Sequence, residues 1–163
     1  MGKRTILNFG HFWDRNKISW GRQKVSGHLK GYRGSIRNED IVDFREQIGI
    51  YILFTNTREV IYIGQSGSGT QRMLSRLRQH TRDHLRSRWS NFSWFGMCDV
   101  DYRSNKLCEY DVASISKNSS LDEIEAILLQ LFEPRLNKQG PKWGSETVEY
   151  FQFWEEEEAE DVD

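Results

Sequence analysis

Arg76 and His80 lie four residues apart in a segment whose pattern predicts a helix, so their side chains share one helix face. Met73 and Leu77 fall on the same side, which turns this face toward the core. A guanidinium and an imidazole placed there could form an interior ion pair. They could equally clamp a phosphate, because a guanidinium matches two phosphate oxygens in a fork.

Glu125 is a carboxylate in a second predicted helix, residues 120–133. Ser120 and Glu123 form a capping box at the start of this helix, and Pro134 ends it. At about 100° per residue, Glu125 falls inside the apolar arc and Glu123 on the polar side. A carboxylate in an apolar arc loses hydration unless a cation or hydrogen bonds replace it. Glu125 is therefore a candidate metal ligand or catalytic group, or else a helix-edge residue that reaches water or pairs with an arginine.

Tyr51 and Tyr62 lie in two short apolar runs, GIYILF and VIYIG, which are separated by the turn-forming residues TNTR. The pattern predicts a β-hairpin. Symmetric pairing of Thr55 with Arg58 would place the two tyrosines directly opposite each other on one face. Such a pair could simply be a stacked cross-strand contact worth about 1 kcal/mol. Gly64, at the end of the second run, would allow another group to approach the backbone closely.

The order of these motifs resembles the GIY-YIG nuclease superfamily. GIY ends at Tyr51 and YIG begins at Tyr62, with 10 residues between the two motifs. RLRQH resembles the family's arginine helix, and IEAILLQLFEPRLN resembles its glutamate helix with the following Pro-x-x-Asn turn. The Arg-xxx-His spacing is closest to that of the restriction-enzyme and homing-nuclease branches. The resemblance covers residues 48–140 and implies six catalytic positions: Tyr51, Tyr62, Arg76, His80, Glu125 and Asn137.

The resemblance implies metal-dependent hydrolysis of phosphodiester bonds in DNA, leaving 5′-phosphate and 3′-hydroxyl ends. Glu125 would hold one divalent ion, Mg²⁺ or Mn²⁺, and Arg76 would brace the non-bridging phosphate oxygens. Tyr51 would act as general base, assisted by His80 or Tyr62. Because a phenol with a pKa of about 10 is rarely ionised at neutral pH, the cation and the arginine would have to lower that pKa.

These elements predict an α/β (α+β) fold, with a small central antiparallel sheet flanked by helices. The hairpin and the buried run FSWFGMCDV would form the sheet. Helices are predicted for NEDIVDFREQ and for TQRMLSRLRQHTRDHLRSRW, the latter of which could break at Thr81. The run TVEYFQFW could be a last strand or an aromatic clasp.

Four parts of the chain follow from these patterns. Residues 1–47 form a basic N-terminal extension, and residues 48–140 form the nuclease-like domain. Residues 141–154 form an aromatic segment, and residues 155–163 form an acidic tail that is expected to be disordered.

Positive and negative charges are segregated along the chain, although the net charge is −1. Residues 1–37 hold nine Lys/Arg and one acid, residues 70–90 hold six Arg and one acid, and the tail EEEEAEDVD holds seven acids. This predicts a polyanion-binding body with a tail that competes for its basic surface, unless each block is only solvated surface. The expected nucleic-acid contacts are Gly64, Arg72, Arg78, Arg82, Arg15, Lys17, Arg22 and Lys24.

Composition narrows the setting in which the protein works. No apolar run approaches the roughly 20 residues of a membrane span, and the N-terminus shows no secretory signal. Cys98 and Cys108 lack a CxxC spacing, so we expect two reduced thiols in a cytoplasmic protein.

The sequence therefore predicts a small restriction or host-defence endonuclease, because 163 residues leave little room for a separate recognition domain. DNA is the expected partner and RNA is not excluded. A homodimer could serve double-strand cutting, and the acidic tail could bind a protein partner. The alternatives are an RNA nuclease, or a catalytically silent module with a nuclease-like fold that binds nucleic acid or protein.

Overall fold

A computed structural model of the chain describes residues 5–34, 40–67, 69–109, 123, 126–127, 130, 143 and 147–155. One helix has both of its ends in these ranges, α1 (Met73–Gln79), and Arg15–Lys17 form a short 3₁₀ turn. The strands, in chain order, are β1 (Asn8–Asp14), β2 (Ser19–Arg22), β3 (Val25–His28), β4 (Lys30–Tyr32), β5 (Val42–Asp43), β6 (Gly49–Phe54), β7 (Val60–Ser66), β8 (Asn91–Gly96), β9 (Val100–Asp101), β10 (Lys106–Leu107) and β11 (Val148–Gln152).

Seven of the strands form one mixed sheet with the order β5-β4-β11-β1-β8-β6-β7. All neighbours in it are antiparallel except β1 and β11, which are parallel. An α/β architecture holds in broad terms. The prediction of a small sheet flanked by helices is wrong, because strands from both ends of the chain extend the hairpin and β8 into a wide sheet.

The run TVEYFQFW supplies β11, so its interpretation as a last strand is confirmed. β8 confirms the third strand predicted next to the hairpin, and every residue of it from Phe92 to Gly96 is buried. Residues 123, 126, 127 and 130 are helical, as the predicted helix over 120–133 requires.

The short helix predicted for NEDIVDFREQ is wrong within the described residues, where β5 and a turn occupy its place. The carboxylate of Asp43 accepts hydrogen bonds from the backbone amides of Leu29 and Arg45, both at 3.0 Å. The Phe44 amide donates to the Leu29 carbonyl at 2.7 Å. An aspartate that binds nearby backbone amides in this way competes with helix formation.

The long helix predicted from residue 70 to Trp89 is shorter than expected, because α1 ends at Gln79 and turns follow. The Thr81 hydroxyl donates to the Arg78 carbonyl at 2.6 Å, which satisfies an acceptor at the helix end. The break predicted near Thr81 is therefore in place.

The two faces of the sheet bury separate cores. Helix α1 covers one face, where the buried residues include Trp13, Tyr51, Leu53, Met73, Leu77, Trp89 and Trp94. The other face buries Ile6, Phe9, Ile52, Phe54 and Phe95, with Ile127 and Trp143 packed against them. Tyr51 and its neighbour Ile52 thus belong to different cores, as alternation along a strand requires.

A buried amide fixes the start of β6 against the rest of the sheet. The Gln47 side chain donates to the Asn8 side-chain oxygen at 2.6 Å and accepts from the Cys98 amide at 2.9 Å. The Ser66 hydroxyl donates to the Gln47 carbonyl at 3.1 Å. Cys98 and Cys108 are free thiols, as expected. Among the described helices, none is long and apolar enough to cross a membrane.

Candidate active site

The hairpin register differs from the symmetric one predicted. Tyr51 pairs with Gly64, and Tyr62 pairs with Leu53. Arg58 adopts a left-handed conformation with φ 64°, so the turn has one more residue than a two-residue hairpin loop, and a bulge between Leu53 and Phe54 adds another. Each of these two features shifts the pairing of the strands by one residue. Together they shift it by two, so Tyr62 points to the same face of the sheet as the symmetric pairing predicted. The prediction that the tyrosines are directly opposite is wrong, but they remain diagonal neighbours on one face.

Gly64 is required by the path of the Tyr51 side chain. A Cβ atom at position 64 would clash with the phenol oxygen of Tyr51, which lies over the glycine backbone. Strand β7 therefore provides a gap through which the fully buried Tyr51 side chain extends toward α1.

Three aromatic rings meet where the hairpin contacts the end of α1. The centroids of Tyr51 and Tyr62 are 6.1 Å apart, with an interplanar angle of 28°. The His80 ring lies 5.6 Å from the Tyr51 ring and 4.7 Å from the Tyr62 ring. The structure thus brings together three of the residues that the sequence placed in one site.

A chain of two short hydrogen bonds runs from Tyr51 through His80 to Asp83. The Tyr51 hydroxyl is 2.8 Å from Nε2 of His80, and Nδ1 of His80 is 2.8 Å from a carboxylate oxygen of Asp83. An ionised carboxylate can only accept a hydrogen bond, so Nδ1 carries the donated proton. In the neutral ring Nε2 is then the acceptor for the phenol proton of Tyr51.

The turn after α1 holds this chain in place. His80 is only 3% exposed, and its carbonyl accepts a hydrogen bond from the indole of Trp89 at 3.1 Å. The Leu85 amide donates to the second oxygen of Asp83 at 2.8 Å. Burial raises the pKa of Asp83, but the hydrogen bonds from Leu85 and His80 outweigh it, so the pKa lies below its usual value. Asp83 is therefore ionised at neutral pH.

The environment of Tyr51 disfavours the phenolate. Burial raises the pKa of Tyr51 to about 12, and the neighbouring Tyr62 hydroxyl also raises it. The charge and hydrogen bonding of the Arg76 guanidinium lower this pKa, but they do not reverse the shift. Arg76 thus lies beside the Tyr51 phenol, and Tyr51 is a neutral hydrogen-bond donor in the unliganded protein.

Arg76 has hydrogen-bonding capacity left for a ligand. Its Nη1 donates to Gln79 at 2.9 Å. Its Nε is buried and, among the described residues, has no hydrogen-bond partner. A buried donor without a partner is costly, so an acceptor that lies outside the described residues is expected there.

Asp83 is the residue that sequence reasoning missed. It lies three residues after His80, a spacing that juxtaposes side chains on a helix or in the turn that follows one. The three-residue spacing between His80 and Asp83 could therefore have identified this pair, but Asp83 was counted only as the single acid among the arginines of residues 70–90.

The arginines around α1 differ in their surroundings. Arg72 Nη1 donates to the carbonyls of Gly69 and Gln71, at 2.9 and 3.0 Å. Arg78 and Arg82 line a cavity of about 370 Å³ to which Asp83 also contributes. The Nε of Arg78 is a second buried donor with no partner among the described residues.

The basic residues near the N-terminus have different surroundings. The Arg15 guanidinium stacks 4.5 Å from the centroid of the Trp89 ring and donates to the Trp89 carbonyl at 3.1 Å. Lys17 is an exposed residue of the 3₁₀ turn. Arg22 and Lys24 are exposed on the β2–β3 hairpin.

Glu125 and Asn137 lie outside the described residues. Their neighbour Glu123 is described, and the prediction that it faces solvent is wrong, because it is buried. A carboxylate oxygen of Glu123 accepts the Ile6 amide at 2.8 Å, which ties the N-terminal segment to this helix. The second oxygen is buried and has no partner among the described residues.

The site thus combines stacked tyrosines on a hairpin, a buried histidine at the end of the next helix and an arginine with spare donor capacity. The family model for the GIY-YIG catalytic domain matches residues 47–139, more than half of the 163 residues. The chain belongs to the GIY-YIG family of nucleases, whose substrates are nucleic acids. No curated protein and no solved structure matches the chain.

Proposed function

We propose that this protein is an endonuclease that hydrolyses phosphodiester bonds in DNA with the help of one Mg²⁺ or Mn²⁺, and that it serves restriction or host defence. The observation that carries the proposal is the Tyr51–His80–Asp83 chain beside Arg76. It combines a route for a proton with a cation that fits a phosphate.

The hydrogen-bonded chain suits Tyr51 to accept a proton from water. As a water molecule attacks phosphorus, Tyr51 takes a proton from that water and passes its own phenol proton to Nε2 of His80. The new bond joins the water oxygen to phosphorus, and the bond from phosphorus to the 3′ oxygen breaks with its electron pair going to that oxygen. The 3′ oxygen takes a proton from solvent water, and His80 returns the proton it received to solvent, so the products are a 5′-phosphate and a 3′-hydroxyl. Asp83 stabilises the imidazolium that forms on His80, as a carboxylate does in hydrolytic triads.

Arg76 would bind a non-bridging oxygen of the scissile phosphate through its Nε, which has no hydrogen-bond partner among the described residues. This contact strengthens as negative charge accumulates on the phosphate. Because Arg76 lies next to Tyr51 and lowers its pKa, the guanidinium also makes the loss of the phenol proton easier.

The divalent ion expected for this family would have Glu125 as its protein ligand. The described residues contain no group of three His, Cys, Asp or Glu side chains able to hold a metal, and Asp83 is already bound by His80 and Leu85. A single carboxylate with several waters suits Mg²⁺, so the site assigned by the sequence remains chemically consistent. When bound, the ion would supply charge neutralisation at the phosphate and the leaving oxygen.

Digestion of plasmid and genomic DNA with Mg²⁺ or Mn²⁺ tests this function. We expect cut products with 5′-phosphate ends by end mapping, and no cutting in EDTA. Parallel digestion of RNA separates the two substrates. Binding of DNA without cutting under any metal condition would contradict the proposal and favour the silent binding module.

Replacing Asp83 with Asn is expected to lower the cleavage rate by about tenfold to a hundredfold, since groups that orient a reactive residue typically contribute that much. Asn can donate to Nδ1 and so favour the wrong His80 tautomer. The readout is the pH–rate profile of single-turnover cleavage, which should rise from pH 7 to pH 10 if His80 in the wrong tautomer can no longer take the phenol proton of Tyr51. Asp83→Glu should recover part of the rate, whereas a profile identical to wild type in Asp83→Asn would exclude this role.

The family match supports a nucleic-acid substrate. It does not bear on a second copy of the chain or on a protein partner, so both stay predictions from the sequence.

A further inference from the structure

A cavity of about 750 Å³ opens at the end of the sheet where β1 and β11 finish and β4 begins. None of the residues that line it belongs to the matched catalytic domain, which begins at residue 47 and ends at residue 139. Its lining comes from both ends of the chain: Asn16, Lys17, Ile18, Ser19, His28, Lys30, Phe153, Trp154 and Glu155.

The cavity carries more positive than negative charge. Lys17 and Lys30 contribute two ammonium groups, and Glu155 is the one acid among the lining residues. The ammonium of Lys17 lies 3.8 Å from the centroid of the Trp154 ring, a cation–π contact that holds it at the cavity. His28 is engaged by Asp43 at 3.1 Å, outside the lining.

The contact between Lys30 and Glu155 is loose. The two charged atoms are 3.7 Å apart, beyond hydrogen-bond length, and the Glu155 side chain is 79% exposed. Exposed pairs of this kind contribute little stability. A stronger anion could therefore displace Glu155 from Lys30 at small cost.

We propose that this cavity is a second nucleic-acid-binding site, in which Lys17 and Lys30 bind backbone phosphates of the DNA at a distance from the cutting site. The identity of the polyanion rests on the proposed nuclease function. Glu155, the first acid of EEEEAEDVD, occupies the phosphate position next to Lys30 when DNA is absent.

The cavity lies away from Tyr51 in the sheet. Strand β4, which begins at Lys30, is four strand spacings from β6, which carries Tyr51. At roughly 4.8 Å per spacing, the two strands are about 19 Å apart. Leu29 and Gly31 face the core that contains Tyr51 and Trp13, so alternation along β4 places Lys30 on the other face of the sheet. The cavity is thus a contact separate from the cutting site.

The double variant Lys17→Ala/Lys30→Ala in the full-length chain tests the site. Binding to a 30-base-pair duplex is measured by fluorescence anisotropy in EDTA, so that affinity is read without cutting. We expect Kd to rise at least about tenfold at moderate salt. The slope of log affinity against log salt should fall by about 1.8, because each lost phosphate contact contributes about 0.9.

A matched pair provides the control. Arg103→Ala/Lys106→Ala removes two positive charges from exposed positions around β10 and should change the slope much less. Equal affinities and equal slopes for the two double variants would overturn the proposal, since the effect would then be one of net charge alone.

The acidic tail supplies a second readout. Changing the four glutamates 155–158 to glutamine should tighten DNA binding at low salt in the wild-type background. The same change should have no effect in Lys17→Ala/Lys30→Ala, because its target is gone. If the glutamine change tightens DNA binding equally in both backgrounds, the acidic tail does not compete with DNA at this cavity. These outcomes are independent of cutting, so a protein that binds here but cleaves nothing would refute the nuclease function and leave the site standing.

Discussion

Replacing Glu125 with Gln is expected to lower the rate of DNA cleavage by about a thousandfold or more while leaving DNA affinity within a few fold. The amide keeps the size of the side chain but loses the charge that a divalent ion requires. Loss of the ion removes several kcal/mol of transition-state stabilisation, and each 1.36 kcal/mol corresponds to about a tenfold change in rate. Single-turnover cleavage and anisotropy in EDTA measure the two quantities separately.

Glu123→Gln is the matched control on the same helix. Glu123 uses one carboxylate oxygen to accept the Ile6 amide, and glutamine retains an oxygen that can do the same. We expect this variant to cut DNA at close to the wild-type rate. Titration of Mn²⁺ by calorimetry should show a site in wild type and in Glu123→Gln, and weakened binding in Glu125→Gln. If Glu125→Gln cuts DNA at the wild-type rate, Glu125 is not the ligand of a catalytic metal ion, whatever the Mn²⁺ titration shows.

The sequence could predict which face of the sheet carries the tyrosines, but not their register. Alternation with period two fixes the face, and a shift of two residues leaves it unchanged. The shift itself arises from the left-handed Arg58 and from the bulge near Phe54, neither of which has a glycine to signal it. The pattern was therefore sufficient to pair Tyr51 with Tyr62 in space and insufficient to show why Gly64 is needed.

The width of the sheet could not be predicted from local patterns. β1 pairs in parallel with β11, and Asn8 and Val148 are partners although nearly the whole chain separates them. Residues such as Gly10 and Gly31 lower local strand propensity, yet both lie against the Trp13 side chain, where a larger residue would not fit. Tertiary packing thus outweighs local preference in these strands.

The order of the sequence motifs was enough to predict most of the candidate site, because few other residue types can do the chemistry assigned to each position. Arg76 and His80 were assigned to one helix face from their spacing, and the structure places both beside Tyr51. Asp83 was overlooked because a lone acid among arginines is also what a solvated surface shows. Only the position of the His80 ring distinguishes the two interpretations.

Replacing Tyr51 with Phe is expected to lower cleavage by about a hundredfold to ten-thousandfold, the usual contribution of a general acid or base. Phenylalanine keeps the ring that packs against Tyr62 and His80, so the fold should persist. Tyr62→Phe removes an equivalent oxygen from the same cluster. It should cost much less, because His80 is hydrogen-bonded to Tyr51 and Asp83 and, within the described part of the chain, not to the Tyr62 hydroxyl. A larger loss in Tyr62→Phe than in Tyr51→Phe would transfer the role of base to Tyr62.

The pH dependence separates proton transfer to His80 from direct ionisation of the phenol. Burial raises the pKa of Tyr51 to about 12, so the free phenol remains neutral throughout the range in which DNA and protein are stable. If Tyr51 had to ionise first, the rate would rise tenfold per pH unit up to pH 10 and beyond. Transfer to His80 predicts instead a rate that is flat from pH 7 to pH 10, because the imidazole and not hydroxide takes the phenol proton. A continuous rise from pH 7 to pH 10 in single-turnover cleavage would show that His80 does not take the proton.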